Sequence, residues 1–234
     1  MNKSILQKPK VSCIIPFWNE GQRLFNVLDE IVKCKNINEI ICVDDYSDTN
    51  FSSEIKKYSP STKYMRLNKN LGKSGAILKG LKHSEGDRIL LIDADLRNVN
   101  HLEIDNAISV IQKNRNIDML ILRRIKAPLF VKLTRGDVLS TGERIVKRFL
   151  LQEVLEKYAK GWQLESKINL YMYTNKKDVF WFPHSGINTH WKWGFYKDLK
   201  YHQLKFKDIF SIGLTNLVKL FLFFGKRKYL SVNE

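Results

Sequence analysis

The sequence predicts an α/β protein built on a mainly parallel sheet with helices on both faces. Short apolar runs alternate with segments of helical periodicity over the first 122 residues, which is the order typical of such sheets. The crossovers between parallel strands are then expected to be right-handed. Polar residues follow three of the apolar runs, at the carboxyl ends of strands where open α/β sheets bind their ligands.

The elements of the first half follow from apolar patterning. The run VSCIIP is apolar on both faces and ends in proline, which is typical of a buried strand. Predicted strands cover residues 11–16, 39–43, 62–68, 87–93 and 117–122. Predicted helices cover residues 20–33, 73–83 and 100–113. In the first of these helices Leu24, Leu28 and Ile31 recur at the spacing of one helical face.

The alternation ends near residue 123. Residues 123–148 carry eight Arg or Lys and two acidic residues. The later predicted elements are a helix over 142–158, a helix over 163–173, a strand over 178–183 and an apolar segment over about 205–224. We expect a single domain over 1–234, with a first half over about 11–122, a second half over about 123–204 and a C-terminal helix over about 205–228.

Composition narrows the class of protein and of partner. With 44% hydrophobic and 12% aromatic residues, the chain can bury a core, which excludes a disordered protein. The net charge of +16 predicts attraction to nucleic acid, anionic lipid or phosphorylated small molecules without choosing among them. Three cysteines without metal-type spacing, and an N-terminus without a signal-peptide run, lead us to expect a cytoplasmic protein.

Residues 90–96 read LLIDADL, so two carboxylates follow a predicted strand. Asp93 and Asp95 supply hard oxygen ligands of the kind that Mg²⁺ and Mn²⁺ prefer. The alternative interpretation is an Asp-rich turn that only ends the strand. The pattern alone is short and common, so its meaning depends on the neighbouring motifs.

Three segments together carry a resemblance to a known family. They are VSCIIPFWNE (11–20), VDDYSD (43–48) and NLGKSGAILKGLKHSEGDRILLIDADL (70–96). In order and spacing they resemble family 2-like glycosyltransferases with the GT-A fold, over about residues 11–97. The resemblance implies metal-dependent transfer of a sugar from a UDP- or GDP-sugar. It also implies that Asp95 acts in catalysis as a ligand of Mg²⁺ or Mn²⁺, which neutralises the leaving diphosphate.

The resemblance assigns residues to the nucleotide-sugar donor. They are Pro16, Glu20, Asp44, Asp45, Lys73 and Asp93, with Ser47 in the same loop as the paired aspartates. Alternatives remain open for several of them. Asp44 and Asp45 could form a helix cap or an Asx-turn, Glu20 could be a first-turn residue favoured by the helix dipole, and Lys73 could be a solvated side chain beside a capping turn.

The second half looks like a subset of these enzymes, the glucosyl-3-phosphoglycerate synthase-like transferases. The residues concerned are STGERIVKR (140–148), GWQLE (161–165) and His190. By this resemblance Thr141, Gly142 and Arg144 contact the acceptor. Glu165 is the carboxylate near the reaction centre, and His190 is a metal ligand, with His184 as its rival. Trp162 and Gln163 stand where small residues are usual, a departure that bears on Glu165.

The acceptor is expected to be a phosphorylated small molecule or a lipid such as a polyprenyl phosphate. Residues 206–224, followed by Gly225 and the basic residues Lys226, Arg227 and Lys228, could lie on a membrane surface or pack against the sheet. Whether transfer inverts or retains the anomeric configuration stays open.

Two rival functions are a sugar-nucleotidyltransferase and a non-enzymatic nucleic-acid-binding protein. A nucleotidyltransferase needs a Gly-rich basic loop after the first strand, where this sequence has PFWNEGQR. No nucleic-acid module is recognisable, so no nucleic-acid partner is expected.

Overall fold

A seven-stranded mixed sheet with helices on both faces organises the chain. The computed structural model describes residues 8–133, 135–158, 164–188, 203 and 212–225. In chain order the strands are β1 (Val11–Phe17), β2 (Glu39–Asp44), β3 (Thr62–Arg66), β4 (Arg88–Leu91), β5 (Leu96–Arg97), β6 (Met119–Arg124), β7 (Arg144–Lys147), β8 (Val179–His184) and β9 (Ile187–Asn188). The main sheet has the order β3-β2-β1-β4-β7-β6-β8, and β5 pairs with β9 in a separate ribbon.

The described helices fill most of the connections between strands. They are α1 (Gln22–Ile31), α2 (Ser52–Lys56), α3 (Gly72–Lys82), α4 (His101–Lys113), α5 (Leu129–Leu133), α6 (Gly136–Leu139), α7 (Arg148–Lys157), α8 (Leu164–Thr174) and a C-terminal helix (Leu214–Gly225). Every strand and helix predicted in the first half is present, with ends shifted by up to two residues. The prediction did not include the short elements α2, α5, α6, β5 and β9.

The predicted mainly parallel sheet is confirmed. β1 pairs in parallel with both β2 and β4, β2 with β3, and β6 with β8. β7 is antiparallel to its neighbours β4 and β6. The carboxyl ends of β1, β2 and β4 therefore meet at one edge, as the sequence analysis required.

Two apolar layers hold the helices to the sheet. On one face α1 and α4 bury Leu28 and Ile108 against β1 and its neighbours. On the other face α3, α7, α8 and the C-terminal helix bury Ile77, Leu151 and Leu220. Burial of each such side chain contributes about 1.5–3 kcal/mol. α3 lies so close to the sheet that a Cβ at Gly80 would come within 2.9 Å of Ile14 Cγ2.

The helix predicted over residues 142–158 is wrong in its first part. Residues Arg144–Lys147 form β7, and the helix begins only at Arg148. The physical reason is tertiary pairing, because Ile145 and Val146 are fully buried between β4 and β6. β-Branched residues in such a slot favour the strand over the helix that their polar neighbours suggested.

Two further expectations concern the cysteines and the C-terminal segment. Cys13 and Cys42, which lie within apolar runs of the sequence, are free and buried as small core residues, and Cys34 is free and buried as well. The C-terminal helix packs one side against α6 and α8. Among the described residues, no helix combines the length and the apolar composition needed to cross a bilayer.

Candidate active site

The loops that follow β1 and β2 are tied together at the carboxyl edge of the sheet. The register places Phe17 opposite Asp44, so the two loops leave the sheet side by side. The Asn19 backbone N–H donates to Ser47 Oγ at 2.9 Å, and the Asn19 side chain donates to Asp48 at 3.1 Å. These bonds hold the two loops together beside the two strand ends, where the candidate site lies.

The Asp44 carboxylate organises the loop after β2. It is fully buried and accepts hydrogen bonds from the Ser47 backbone N–H and from the Tyr64 hydroxyl, each at 2.8 Å. The Arg66 guanidinium lies 3.7 Å away. Burial, together with the bond to Asp44, raises the pKa of Tyr64 to about 12. The bond from the Ser47 backbone N–H to Asp44 is the bond of the Asx-turn that the sequence analysis considered. Contact between Asp44 and a nucleotide stays a prediction.

Asp45 connects this loop to the start of α3. Its Oδ1 accepts a hydrogen bond from the Leu71 backbone N–H at 2.7 Å. Burial raises the pKa of Asp45, although the backbone N–H groups of Leu71 and Gly72 oppose that shift. Asp45 thereby fixes the N-terminal turn of α3, from which Lys73 extends.

Pro16 and Glu20 lie near the end of β1, as the resemblance implied. Pro16 is buried within β1 and stands opposite Val43 of β2. Glu20 accepts a hydrogen bond from Arg23 Nε at 2.7 Å. This bond agrees with the alternative that Glu20 belongs to the start of the first helix. Contact between Glu20 and the nucleotide-sugar stays a prediction.

Lys73 joins two predicted site residues from distant parts of the chain. Its Nζ lies 2.6 Å from Asp93 Oδ1 and 2.6 Å from Glu165 Oε1. Burial disfavours the charged amine, but Asp93 and Glu165 outweigh that effect and raise the pKa of Lys73. The charged lysine thus holds a carboxylate from the end of β4 beside one from the first turn of α8.

Gly142 closes over this ion-pair cluster. A Cβ on Gly142 would lie 2.5 Å from Asp93 Oδ2 and 2.7 Å from Lys73 Nζ. Real Cβ atoms do not approach other atoms so closely, so a larger residue at position 142 would force the ends of the Asp93 and Lys73 side chains to shift. The structure therefore places the predicted acceptor loop directly against Asp93.

Asn188 and Arg124 are site residues that the sequence analysis missed. The Asn188 side-chain amide donates to Asp93 Oδ2 at 3.3 Å and to Asp95 Oδ1 at 3.4 Å. Arg124 at the end of β6 donates to Asn188 Oδ1. The β5–β9 ribbon brings Asn188 opposite Leu96, next to Asp95. A two-residue pairing of this kind leaves no periodic signal in the sequence.

Thr141 and Arg144, predicted to contact the acceptor, have internal contacts in this structure. Both side chains are 0% exposed. Arg144 donates to Asn169 Oδ1 at 3.1 Å and to the Thr141 carbonyl, so it anchors the loop that carries Gly142. Direct contact of these side chains with an acceptor stays a prediction.

Replacement of Arg144 by Met should lower the free energy of unfolding by about 2 kcal/mol, because the Asn169 and Thr141 oxygens lose a buried donor. Urea unfolding followed by circular dichroism measures this difference. Arg115→Met, at an exposed arginine, is the control and should change stability little. An equal loss in both variants would contradict the anchoring role of Arg144.

Glu143 is a buried carboxylate beside this cluster. It is 0% exposed, and it accepts a hydrogen bond from the Thr141 hydroxyl. Burial and then the charge of Asp93 raise the pKa of Glu143 above its usual 4.5. The native protein therefore holds this proton more tightly than the unfolded chain does.

This shift predicts a pH-dependent effect of Glu143→Gln. Protonated Glu143 contributes its full stabilisation of the native state below pH 4.5, and this stabilisation is lost as the pH rises through the native pKa of Glu143. Glu143→Gln should accordingly raise the melting temperature at neutral pH, with a gain that shrinks toward pH 4.5. Melting curves from acid to neutral pH test this, with the exposed Glu156→Gln as control. A gain that is constant with pH would contradict the shift.

The two histidines considered as metal ligands have different outcomes. His190 lies outside the described residues. His184 is fully buried, with Nδ1 3.3 Å from Glu103 Oε2. Burial raises the pKa of Glu103, but the contact with His184 and the hydrogen bonds from Ser185 lower it by more. The structure therefore places His184 against α4, and a metal role for it is not supported by this contact.

The carboxylate oxygens that follow β4 are donor atoms of the type that a hard divalent cation prefers. Asp93 and Asp95 offer carboxylate oxygens at the carboxyl end of β4, the donor type that Mg²⁺ and Mn²⁺ prefer. Within the ranges that the structure describes, no group of three His, Cys, Asp or Glu residues forms a ready metal site. Asp93 contacts Lys73, and both Asp93 and Asp95 accept hydrogen bonds from Asn188, so a metal role for Asp95 stays a prediction of the resemblance.

Comparison with protein families gives one extended match. The family model described as Glycosyl transferase family 2 matches residues 12–219. Curated relatives include the undecaprenyl-phosphate 4-deoxy-4-formamido-L-arabinose transferase of Proteus mirabilis, 34% identical over 38% of this chain and 30% of that protein. The dolichyl-phosphate β-glucosyltransferase of Dictyostelium discoideum is 32% identical over 40% of this chain and 33% of that protein. The chain thus spans about a third of the length of these relatives.

Solved structures support the fold. Glucosyl-3-phosphoglycerate synthase from Mycobacterium tuberculosis, in complex with Mn²⁺, UDP and glucosyl-3-phosphoglycerate, superposes with a TM-score of 0.71. The match covers 90% of this chain and 80% of that chain at 15% identity. The same synthase with Mg²⁺ and UDP gives a TM-score of 0.70 at 18% identity. At this identity the likeness shows the GT-A fold alone.

Proposed function

The chain belongs to glycosyl transferase family 2, and from that premise we propose that it transfers a sugar from a UDP- or GDP-sugar to a phosphorylated acceptor. One observation carries the proposal. Lys73 holds Asp93 and Glu165 together beside Asp95, at the sheet edge where the Asp44–Asp45 loop also ends. A charged cluster at this edge is suited to a nucleoside diphosphate and its reacting sugar.

Each part of the edge has a role in the proposed reaction. The loop with Asp44 and Asp45 binds the nucleoside, and Lys73 contributes a fixed positive charge near the diphosphate. A divalent cation held by Asp95, with His190 as a further ligand by resemblance, would neutralise the charge that develops on the leaving diphosphate. Lys73 also orients the Glu165 carboxylate next to Asp93.

The stereochemical course of transfer decides whether Glu165 can act as the catalytic base. An inverting enzyme needs a carboxylate that takes the proton of the acceptor hydroxyl from the face opposite the leaving group, and a retaining enzyme does not use that geometry. The anomeric configuration of the product, read by proton NMR, decides between the two courses. An inverted product supports Glu165 as the base, and a retained one contradicts it.

The relatives point to the class of acceptor. The names of the curated relatives contain undecaprenyl phosphate and dolichyl phosphate, and the synthase structures contain phosphoglyceric acid or its glucosyl derivative. The shared feature is a phosphate on the acceptor. In this chain residues 123–148 carry eight basic and two acidic residues, and this excess of cations supports a phosphate-bearing acceptor.

A transfer assay tests the proposal. Wild-type protein is incubated with UDP- and GDP-sugars and Mn²⁺, with undecaprenyl phosphate, phosphoglyceric acid or no acceptor, and released nucleoside diphosphate is measured. We expect release with one base only, accelerated by one phosphorylated acceptor. Absence of release with every donor and acceptor would contradict the proposed activity.

Tyr46 gives an independent test of the nucleoside site. It follows Asp45 with a φ of 69°, a conformation that bulky residues rarely adopt, and the Arg66 guanidinium lies 5.9 Å from the centre of its ring. Its side chain is 52% exposed. Strain at an exposed aromatic residue suggests a contact with the donor.

Tyr46→Gly should therefore raise the free energy of unfolding by about 1 kcal/mol, through relief of strain, and weaken donor binding. Urea unfolding and titration calorimetry with the preferred nucleotide measure the two effects. Lys176→Gly is the matched control, because Lys176, two residues after the end of α8, has a φ of 51°. It should gain stability without loss of affinity. Unchanged affinity in Tyr46→Gly would contradict the donor contact.

A further inference from the structure

Exposed apolar side chains concentrate on two helices of the second half. Leu129 on α5 and Leu214 on the C-terminal helix are 73% and 72% exposed. We call the following six residues the docking face: Leu129, Leu133, Leu214, Val218, Phe221 and Leu222. All six are exposed large apolar residues. A contiguous apolar area on a protein surface commonly marks an interaction site.

The C-terminal helix is apolar on two sides. Its inner stripe packs against the core through Leu217, Leu220 and Phe223. The Phe223 ring lies 5.2 Å from that of Tyr173. The outer stripe consists of Leu214, Val218, Phe221 and Leu222, which recur at the spacing of one helical face. A helix that faces water usually has a polar outer stripe, so this helix is suited to a second apolar environment.

α5 and the C-terminal helix both pack against α6. The Arg135 guanidinium, just after α5, lies 5.5 Å from the centre of the Phe221 ring. The exposed ends of the two helices therefore flank α6 as parts of one surface.

Cations border the docking face. Lys132 lies on α5, and the exposed Lys219 lies on the C-terminal helix. Arg135 lies against Phe221 of that face. The one acidic residue of α6, Asp137, is buried and paired with Arg123. Apolar side chains bordered by cations match the acyl layer and the anionic headgroups of a membrane surface. A second copy of the chain would bring like charges together.

From these observations we infer that the docking face binds the surface of a membrane that contains anionic lipid. The inference deepens the proposed function and rests on it for its biological meaning. α6 leads within three residues to Gly142, which lies against Asp93. A phosphate-bearing lipid held at this surface would thus be presented to the acceptor loop.

Co-sedimentation with vesicles tests the inference. The full chain is mixed with vesicles of phosphatidylcholine alone, or of phosphatidylcholine and phosphatidylglycerol in equal parts, without any nucleotide. We expect wild type to sediment with the anionic vesicles, and less so as salt rises. The double variant Val218→Glu, Leu222→Glu should lower the apparent affinity at least about tenfold.

A matched control separates the docking face from general surface hydrophobicity. Leu102 on α4 is also exposed, and α4 packs on the opposite face of the sheet. Leu102→Glu should leave vesicle binding unchanged, and melting curves check that every variant folds. Wild type that stays in the supernatant, or an equal loss in Leu102→Glu, would overturn the inference.

Two other outcomes are also informative. A dimer in light scattering that the double variant abolishes, without vesicle binding by wild type, would assign the face to a second copy and overturn the inference. Vesicle binding needs no donor, so it can succeed where the transfer assay fails. That result would contradict the proposed function and support membrane binding by the docking face. Donor binding without vesicle binding would support the proposed function and overturn the inference about the docking face.

Discussion

Asp95→Asn is expected to reduce the rate of sugar transfer by about 100- to 1000-fold, the usual effect of removing one preorganised electrostatic group from an active site. The variant keeps the shape of the side chain and the oxygen that faces the Asn188 amide. It loses the negative charge that would hold a divalent cation. The fold should therefore survive while the leaving diphosphate goes unstabilised.

Steady-state transfer rates at saturating donor measure the effect of Asp95→Asn, and circular dichroism reports the fold. Asp87→Asn is a matched control, because Asp87 is an exposed residue that immediately precedes β4, at the opposite end of the strand. Its rate should equal that of wild type. A rate for Asp95→Asn within about threefold of wild type, well inside the range expected for a catalytic group, would remove Asp95 from the mechanism.

Lys73→Met is expected to lower the free energy of unfolding by about 3–5 kcal/mol, as when one partner of a buried ion pair is removed. Asp93 and Glu165 both lie 2.6 Å from the amine, and the three side chains are mostly buried. Without the cation, two neighbouring carboxylates would lose their shared partner. The deficit should shrink in acid, where carboxylates gain protons.

Urea unfolding at several pH values measures the loss in Lys73→Met. Lys79→Met on the exposed side of the same helix is the control, and it should change stability by less than about 1 kcal/mol. A loss in Lys73→Met as small as that of the control would show that Lys73 is not the centre of the charged cluster.

The sequence predicted those parts of the site that follow from strand ends. The runs at 11–16, 39–43 and 87–93 each led into polar residues, and parallel pairing of β1 with β2 and β4 brings those residues to one edge. Such runs carry their own signal, because a buried strand must be apolar on both faces. The resemblance added roles to these positions, and the family match over residues 12–219 confirms its source.

The contacts within the site could not be predicted in the same way. Lys73 and Glu165 are 92 positions apart, and Asn188 is 93 positions from Asp95. Neither pair is linked by a local pattern, so only the packed fold brings them together. β7 was mistaken for a helix for the same reason, since its pairing with β4 and β6 overrides the local pattern.

The central claim is that the carboxyl edge around Asp95 binds a nucleotide-sugar, and thermal denaturation with a panel of UDP- and GDP-sugars tests it most directly. A ligand that binds only the folded protein must raise its melting temperature. We predict a rise for wild type with one base in the presence of Mn²⁺, and no rise for Asp95→Asn under the same conditions. Wild-type melting that no nucleotide-sugar shifts, or an equal shift in Asp95→Asn, would contradict the account.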